Sequence, residues 1–125
     1  MTRNRTITFD IGRDLWMTAN QRTHWAVKAK RTKALRSMAA GEGFSLEPFG
    51  SRLARATAYI GYPRNGRADP ANAAPTVKAL IDGLVDARVL DDDDHTHLLG
   101  PDYRRDPATG ITGIWRVRIV LEEAT

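Results

Sequence analysis

Lys78 and Asp82, four residues apart, and the acidic run Asp91, Asp92, Asp93 and Asp94 are the groups in this sequence best suited to chemistry. Ahead of them lies Arg67-Ala68-Asp69-Pro70-Ala71-Asn72. Asp69, Asn72, Asp91, Asp92 and Asp93 carry the oxygen donors that a hard divalent cation takes. Mg2+ often needs only one or two carboxylates, completed by waters and a substrate phosphate. A metal held there would neutralise charge developing on a phosphodiester and lower the pKa of a bound water. Lys78 could hold the scissile phosphate or stabilise charge in the transition state. The same residues also have plain structural readings. Lys78 and Asp82 form an i,i+4 ion pair on a helix surface, and four consecutive aspartates make a solvated acidic turn.

Several elements must position these groups. Residues 6–9 alternate polar and apolar and predict a first strand. Residues 20–40 contain neither proline nor glycine and predict one long helix, stopped by Gly41 and Gly43. Trp25, Ala26, Ala29, Leu35 and Met38 supply its apolar stripe, and Trp25 is expected in the core. Residues 52–62 predict a second strand ended by Pro63, and residues 64–74 a loop. Pro75 then suits a first helical turn. Val77, Leu80, Ile81, Leu84 and Val85 follow at i, i+3, i+4, i+7 and i+8, a second amphipathic helix to about residue 88. Residues 97–99 suggest a short strand, 101–110 a turn, and 111–121 a strand with strict alternation. The order β-α-β-α-β-β predicts an α+β fold, a small mixed sheet with two main helices packed against it. Residues 1–125 show no repeat or linker and are expected to form one domain. Asp69 and the acidic run flank the second helix, so the tertiary structure would have to turn the run back beside Asp69.

Net charge is +4, unevenly spread. Residues 1–40 hold nine basic and two acidic side chains, a balance of +7, whereas residues 41–125 balance at −3. A basic half beside an acidic half suits a polyanion-binding surface next to a cation site; a solvated basic helix is the plainer alternative. The chain has no cysteine, which excludes a disulfide framework and a thiolate metal site. No apolar run nears the roughly 20 residues of a membrane span, and the N-terminal segment lacks a signal-peptide apolar stretch. A cytoplasmic location is therefore expected.

Four stretches of the sequence together resemble the RusA family of Holliday junction resolvases. Thr18-Ala19-Asn20-Gln21-Arg22-Thr23-His24-Trp25, with Lys28, is similar to the family's N-terminal asparagine segment. Arg67-Ala68-Asp69-Pro70-Ala71-Asn72 is similar to its arginine-rich D-x-D-N motif. Lys78-Ala79-Leu80-Ile81-Asp82-Gly83-Leu84 is similar to its K-x-x-x-D-A-L segment, and Val89-Leu90-Asp91-Asp92-Asp93 to the hydrophobic residue and double aspartate that follow. They stand in family order from residue 18 to about 100. The resemblance implies a homodimer that binds four-way junction DNA and makes paired Mg2+-dependent cuts, with Mn2+ as a substitute. It implies Asp69, Lys78, Asp92 and Asp93 as catalytic residues, with the register inside the four-aspartate run open by one. Asn20, Arg22, Lys28, Lys30, Arg31, Lys33 and Arg67 are the expected DNA contacts. Two positions depart from the family. The second aspartate of D-x-D-N is Ala71, and six positions instead of the usual three separate Asn72 from Lys78.

Other chemistries find less support. His95 and His97 would share a strand face and could bind a transition metal, but no third imidazole or thiolate is near in sequence. No serine sits in a glycine elbow, and no Walker or dinucleotide glycine loop is present. A non-cleaving junction- or duplex-binding protein of the same fold is the alternative function, motivated by Ala71. The apolar faces of residues 111–121 and of the first helix are candidate dimer interfaces.

Overall fold

The computed structural model describes residues 4–124; Arg3, part of the basic N-terminal segment, lies outside it. The element order is β1 (Asn4–Gly12), α1 (Trp25–Gly43), β2 (Ala54–Gly61), a 3-10 turn (Pro70–Ala73), α2 (Ala74–Asp86), β3 (Leu98–Arg105) and β4 (Ile114–Glu123). The fold is α+β, as expected. One mixed sheet has the order β1-β4-β2-β3. β1 and β2 run antiparallel to β4, and β3 runs parallel to β2.

Alternation decides which face of each strand is buried. Ile7, Phe9 and Ile11 of β1, Ala54, Ala56, Ala58 and Ile60 of β2, and Val117, Ile119 and Leu121 of β4 are buried together. They join Leu35 and Ala39 of α1 and Val77, Leu80, Ile81 and Leu84 of α2 in one core. Val117, Ile119 and Leu121 of β4 thus face the core, while Ile114, Trp115 and Val120 stay half-buried.

Helix α1 starts five residues later than expected. The preceding segment is tied instead to the start of α2. The buried Thr76 hydroxyl donates to the Met17 carbonyl at 2.8 Å and accepts from the Met17 N–H at 2.9 Å, and the Ala19 N–H donates to the Asn72 carbonyl at 2.9 Å. The His24 ring nitrogen Nδ1 then caps the helix by accepting from the Ala26 N–H. Trp25 was expected in the core, but it is 76% exposed, with Val27 at 42%. The first turn of α1 is exposed; the helix reaches the core at Arg31 and Thr32, which touch Trp16 and Met17, and buries its first side chain at Leu35. Gly41 lies inside α1, and the helix ends at Gly43. A Cβ at Gly43 would lie 2.9 Å from the Ala87 Cβ and 3.1 Å from Val89. Glycine serves close packing at that point.

Thr76→Val should expose the importance of the bridge to Met17. The isosteric methyl leaves a buried N–H and a buried carbonyl without partners, at about 1–3 kcal/mol each. We expect a total loss of about 2–6 kcal/mol in urea unfolding, with Thr76→Ser close to wild type. A Thr76→Val protein as stable as wild type would show that water replaces the hydroxyl.

β3 extends through residues 101–105, where the sequence suggests a turn. It begins at Leu98, one residue after the expected start. Between the Arg55–Leu99 and Thr57–Asp102 pairs it carries an extra residue, a bulge at Gly100 and Pro101. Gly100 has φ +95°, and a Cβ there would come within 2.7 Å of the Ala56 carbonyl oxygen. Pro101 lacks an N–H, which an edge strand tolerates. The last strand begins at Ile114, after a turn in which Gly113 takes φ +75°.

Candidate functional site

The acidic run does turn back, but it brings Asp93 to Lys78 and Asp82 and not to Asp69. Two residues past the end of α2, Arg88 takes φ +64°, the left-handed conformation that reverses a chain after a helix. The Arg88 N–H donates to the Val85 carbonyl and the Val89 N–H to the Leu84 carbonyl, both at 3.0 Å. Val89 and Leu90 are buried, so the chain turns back along α2. Lys78 Nζ consequently donates both to Asp82 Oδ1, at 2.9 Å, and to Asp93 Oδ2. Asp93 raises the Lys78 pKa most, followed by Asp82. In return, the Lys78 ammonium lowers that of Asp93.

These three side chains line an open cavity of 790 Å³, with Lys28 of α1 and Pro101 and Tyr103 of β3 also on its walls. The bulge in β3 therefore shapes one wall, and burial raises the pKa of the Tyr103 hydroxyl. Asp82 and Tyr103 are the residues that sequence reasoning undervalued. The i,i+4 spacing announced the bond from Lys78 to Asp82, whereas no pattern pointed to Tyr103.

The other candidates are dispersed. Asp69 is exposed, and its Oδ1 accepts the Ala71 N–H at 3.0 Å, capping the 3-10 turn. Asn72 stands on that turn, with its backbone N–H bonded to the Asp69 carbonyl. Asp92 Oδ1 accepts the N–H of Asp93 at 2.7 Å, and Asp91 is exposed. Asp94 Oδ1 accepts from the Thr96 N–H and hydroxyl and pairs with His97 Nδ1 at 2.7 Å. Those bonds, Thr96 first and His97 second, hold the Asp94 pKa down to about 2; Asp94 in turn raises that of His97. His95 and His97 therefore lie on a turn before β3 instead of sharing a strand face, and His97 is engaged by Asp94. Among the described residues, no three His, Asp or Glu side chains gather into a metal-holding group.

Of the expected DNA contacts, Lys28 lies on the rim of this cavity. Lys30 and Lys33 are exposed along α1, and Asn20 and Arg22 are exposed before it. Arg31 is half-buried and donates to the Trp16 carbonyl at 3.3 Å. Arg67 is exposed and lines a different cavity, of 1130 Å³.

No family model matches the chain, and no curated protein matches it. Among solved structures, the chain is similar to thiamine-monophosphate kinase from Stenotrophomonas maltophilia K279a, with 17% identity and a TM-score of 0.25. The overlap covers 98% of this chain and 31% of the kinase, and a score that low bears on neither fold nor activity. Among the described residues, no helix is long and apolar enough to cross a membrane.

Proposed function

We propose that the protein is a Mg2+-dependent endodeoxyribonuclease of the RusA type that resolves four-way DNA junctions in the cytoplasm. One observation carries this reading: the fold brings Asp93 to Lys78 and Asp82, at the mouth of a cavity with basic Lys28 on its rim. Asp82 and Asp93, both bonded to one ammonium, are a two-carboxylate set of the kind Mg2+ accepts. When bound, Mg2+ or Mn2+ would supply an activated water and neutralise phosphate charge. Lys78 would exchange a carboxylate for the scissile phosphate as DNA arrives. Lys28, Lys30 and Lys33 would hold the flanking backbone, with Asn20, Arg22, Arg31 and Arg67 as further contacts. Asp69, Asn72, Asp91 and Asp92 remain proposed contributors from the elements on either side of α2. A four-way junction offers two equivalent strands, which suits a two-fold dimer with one site per strand. The exposed Trp25 and Val27 of α1 are available for that contact.

A second reading is favoured by other particulars. Lys78 already neutralises Asp82 and Asp93, Asp69 serves as a cap, and Ala71 supplies no ligand. Such a chain would bind junctions without cutting them. A labelled synthetic four-way junction, incubated with the protein with and without millimolar Mg2+, decides between the two. Paired nicks that need the metal are the expected result. Binding without nicks in either Mg2+ or Mn2+ would favour the second reading, and no binding would overturn both.

A further inference from the structure

The 1130 Å³ cavity lies between the loop after β2 and the loop joining β3 to β4. Arg13, Arg64, Arg67, Asn65, Tyr62 and Trp115 supply its functional lining, and no carboxylate does. Among the described residues, Arg13, Arg64 and Arg67 make no hydrogen bond or ion pair. Of the nearby acids, Asp10 pairs with Arg116 and Asp106 with Arg118, while Asp14, next to Arg13, and Asp69, two residues beyond Arg67, lie outside the lining. Three guanidiniums with no direct ion pair, in a lining that holds no carboxylate, make a cavity that attracts anions.

The walls are braced. Thr109 N–H donates to the Tyr62 carbonyl at 2.8 Å and Gly110 N–H to the Pro63 carbonyl at 3.0 Å, so the two loops are clamped together. Arg105 reaches the Gly66 and Ala68 carbonyls through Nη1 and covers the Tyr62 ring at 4.6 Å. It fixes the loop backbone while leaving Arg64 and Arg67 unengaged. Trp115 stacks on the buried Trp16, with ring centroids 5.3 Å apart and planes 11° from parallel. Charge on the rim, an indole in the lining and a braced frame are what a sequence-tolerant single-strand site needs: cations follow the backbone and an aromatic side chain stacks a base. The volume exceeds the roughly 300–1,000 Å³ of small-molecule sites, so a stretch of chain suits it better than a mononucleotide.

We propose that this cavity is a second nucleic-acid subsite that takes an unpaired stretch of DNA, with its phosphates on Arg13, Arg64 and Arg67 and a base on Trp115. The proposal rests on the reading of the protein as one that acts on DNA, and it adds a place for strand opened at a branch point, apart from the Lys78 cavity.

The test is binding of fluorescein-labelled dT12 without metal, at several salt concentrations, beside junction cleavage by the same preparations. The wild type should bind dT12. The Arg64→Ala/Arg67→Ala double variant should bind at least tenfold more weakly, with a salt slope reduced by about 1.4, that is, about 0.7 per lost phosphate contact. Trp115→Leu should weaken dT12 binding about tenfold while leaving competition by inorganic polyphosphate unchanged. Arg55→Ala, which removes one exposed arginine from β2, controls for net charge. Unchanged dT12 binding in the double variant would overturn the proposal even if Trp115→Leu failed to fold. An equal loss in Arg55→Ala would also overturn it, as would a Trp115→Leu protein that is folded and binds normally, since the cavity would then be a plain anion site. If junctions are cut but dT12 is not bound, only this inference fails; if dT12 is bound but junctions are not cut, only the cleavage reading fails.

Discussion

Lys78→Met is expected to lower junction cleavage by about 100- to 1,000-fold, the usual loss when one charge-stabilising donor is removed from an active site. At the same time it should tighten Mn2+ binding. The methionine keeps most of the lysine's length and none of its charge. In the native site one ammonium serves two carboxylates, and those bonds hold the lysine charged and the Asp93 pKa low. Without it, Asp82 and Asp93 face each other uncompensated, and a divalent cation is the obvious replacement. Loss of activity with a gain in metal affinity separates a phosphate-binding lysine from one that only holds the fold together. Asp93→Asn should lose both activity and metal, whereas Asp92→Asn should lose far less, because Asp92 mainly accepts its neighbour's N–H. Calorimetric titration with Mn2+ and single-turnover cleavage would read the two arms. Normal cleavage by Lys78→Met would sink the assignment of this cavity.

Gly83→Ala is expected to destabilise the protein by about 2 kcal/mol, and Gly83→Val by more. A Cβ at this position would lie 2.2 Å from the Arg36 carbonyl oxygen, 2.7 Å from the Ala39 Cβ and 3.0 Å from the Ala40 nitrogen. All three atoms belong to α1 at or next to its backbone, so no side-chain rotation relieves the contact. The helices would have to move apart, and overpacking of that kind costs about 1–3 kcal/mol or more. Against this stands the roughly 1 kcal/mol by which alanine favours a helix over glycine. Gly41 is the internal control. It lies in α1 with nothing within 4 Å of a built Cβ, so Gly41→Ala should stabilise by about 0.5–1 kcal/mol. Urea denaturation of both variants checks the pair of opposite signs. A Gly83→Ala protein at least as stable as wild type would mean that α1 and α2 do not cross this closely.

β1, α2 and β4 were legible in the sequence because their burial follows one period throughout. Ile7, Phe9 and Ile11 face the core at every second residue, and Val77, Leu80, Ile81 and Leu84 at helical spacing. β3 was not, because Gly100 and Pro101 break the period just where the strand bulges. Trp25 misled through its size: an indole at helical spacing with Ala29 resembles a core residue, but this one stands exposed on the first turn of α1. In the site, Lys78 with Asp82 could be read from spacing alone. Asp93 could not, since its approach depends on a left-handed Arg88, where a glycine would have marked the turn. Asp69 and Lys78 were read as partners in chemistry, whereas the geometry gives Asp69 a cap to make and bonds Lys78 to Asp82 and Asp93.

The outermost strand β1 touches the sheet only through β4, with Asn4 paired to Glu122 and Gly12 to Ile114. Those partners are separated by 118 and 102 residues, nearly the whole chain. Closing so long a loop costs entropy before any contact repays it, and folds with many such pairings form slowly. During synthesis β1 must therefore wait until β4 has been made. Until then Ile7, Phe9 and Ile11 have no sheet to join, and a chain cut short before Ile114 would leave them without their partner strand.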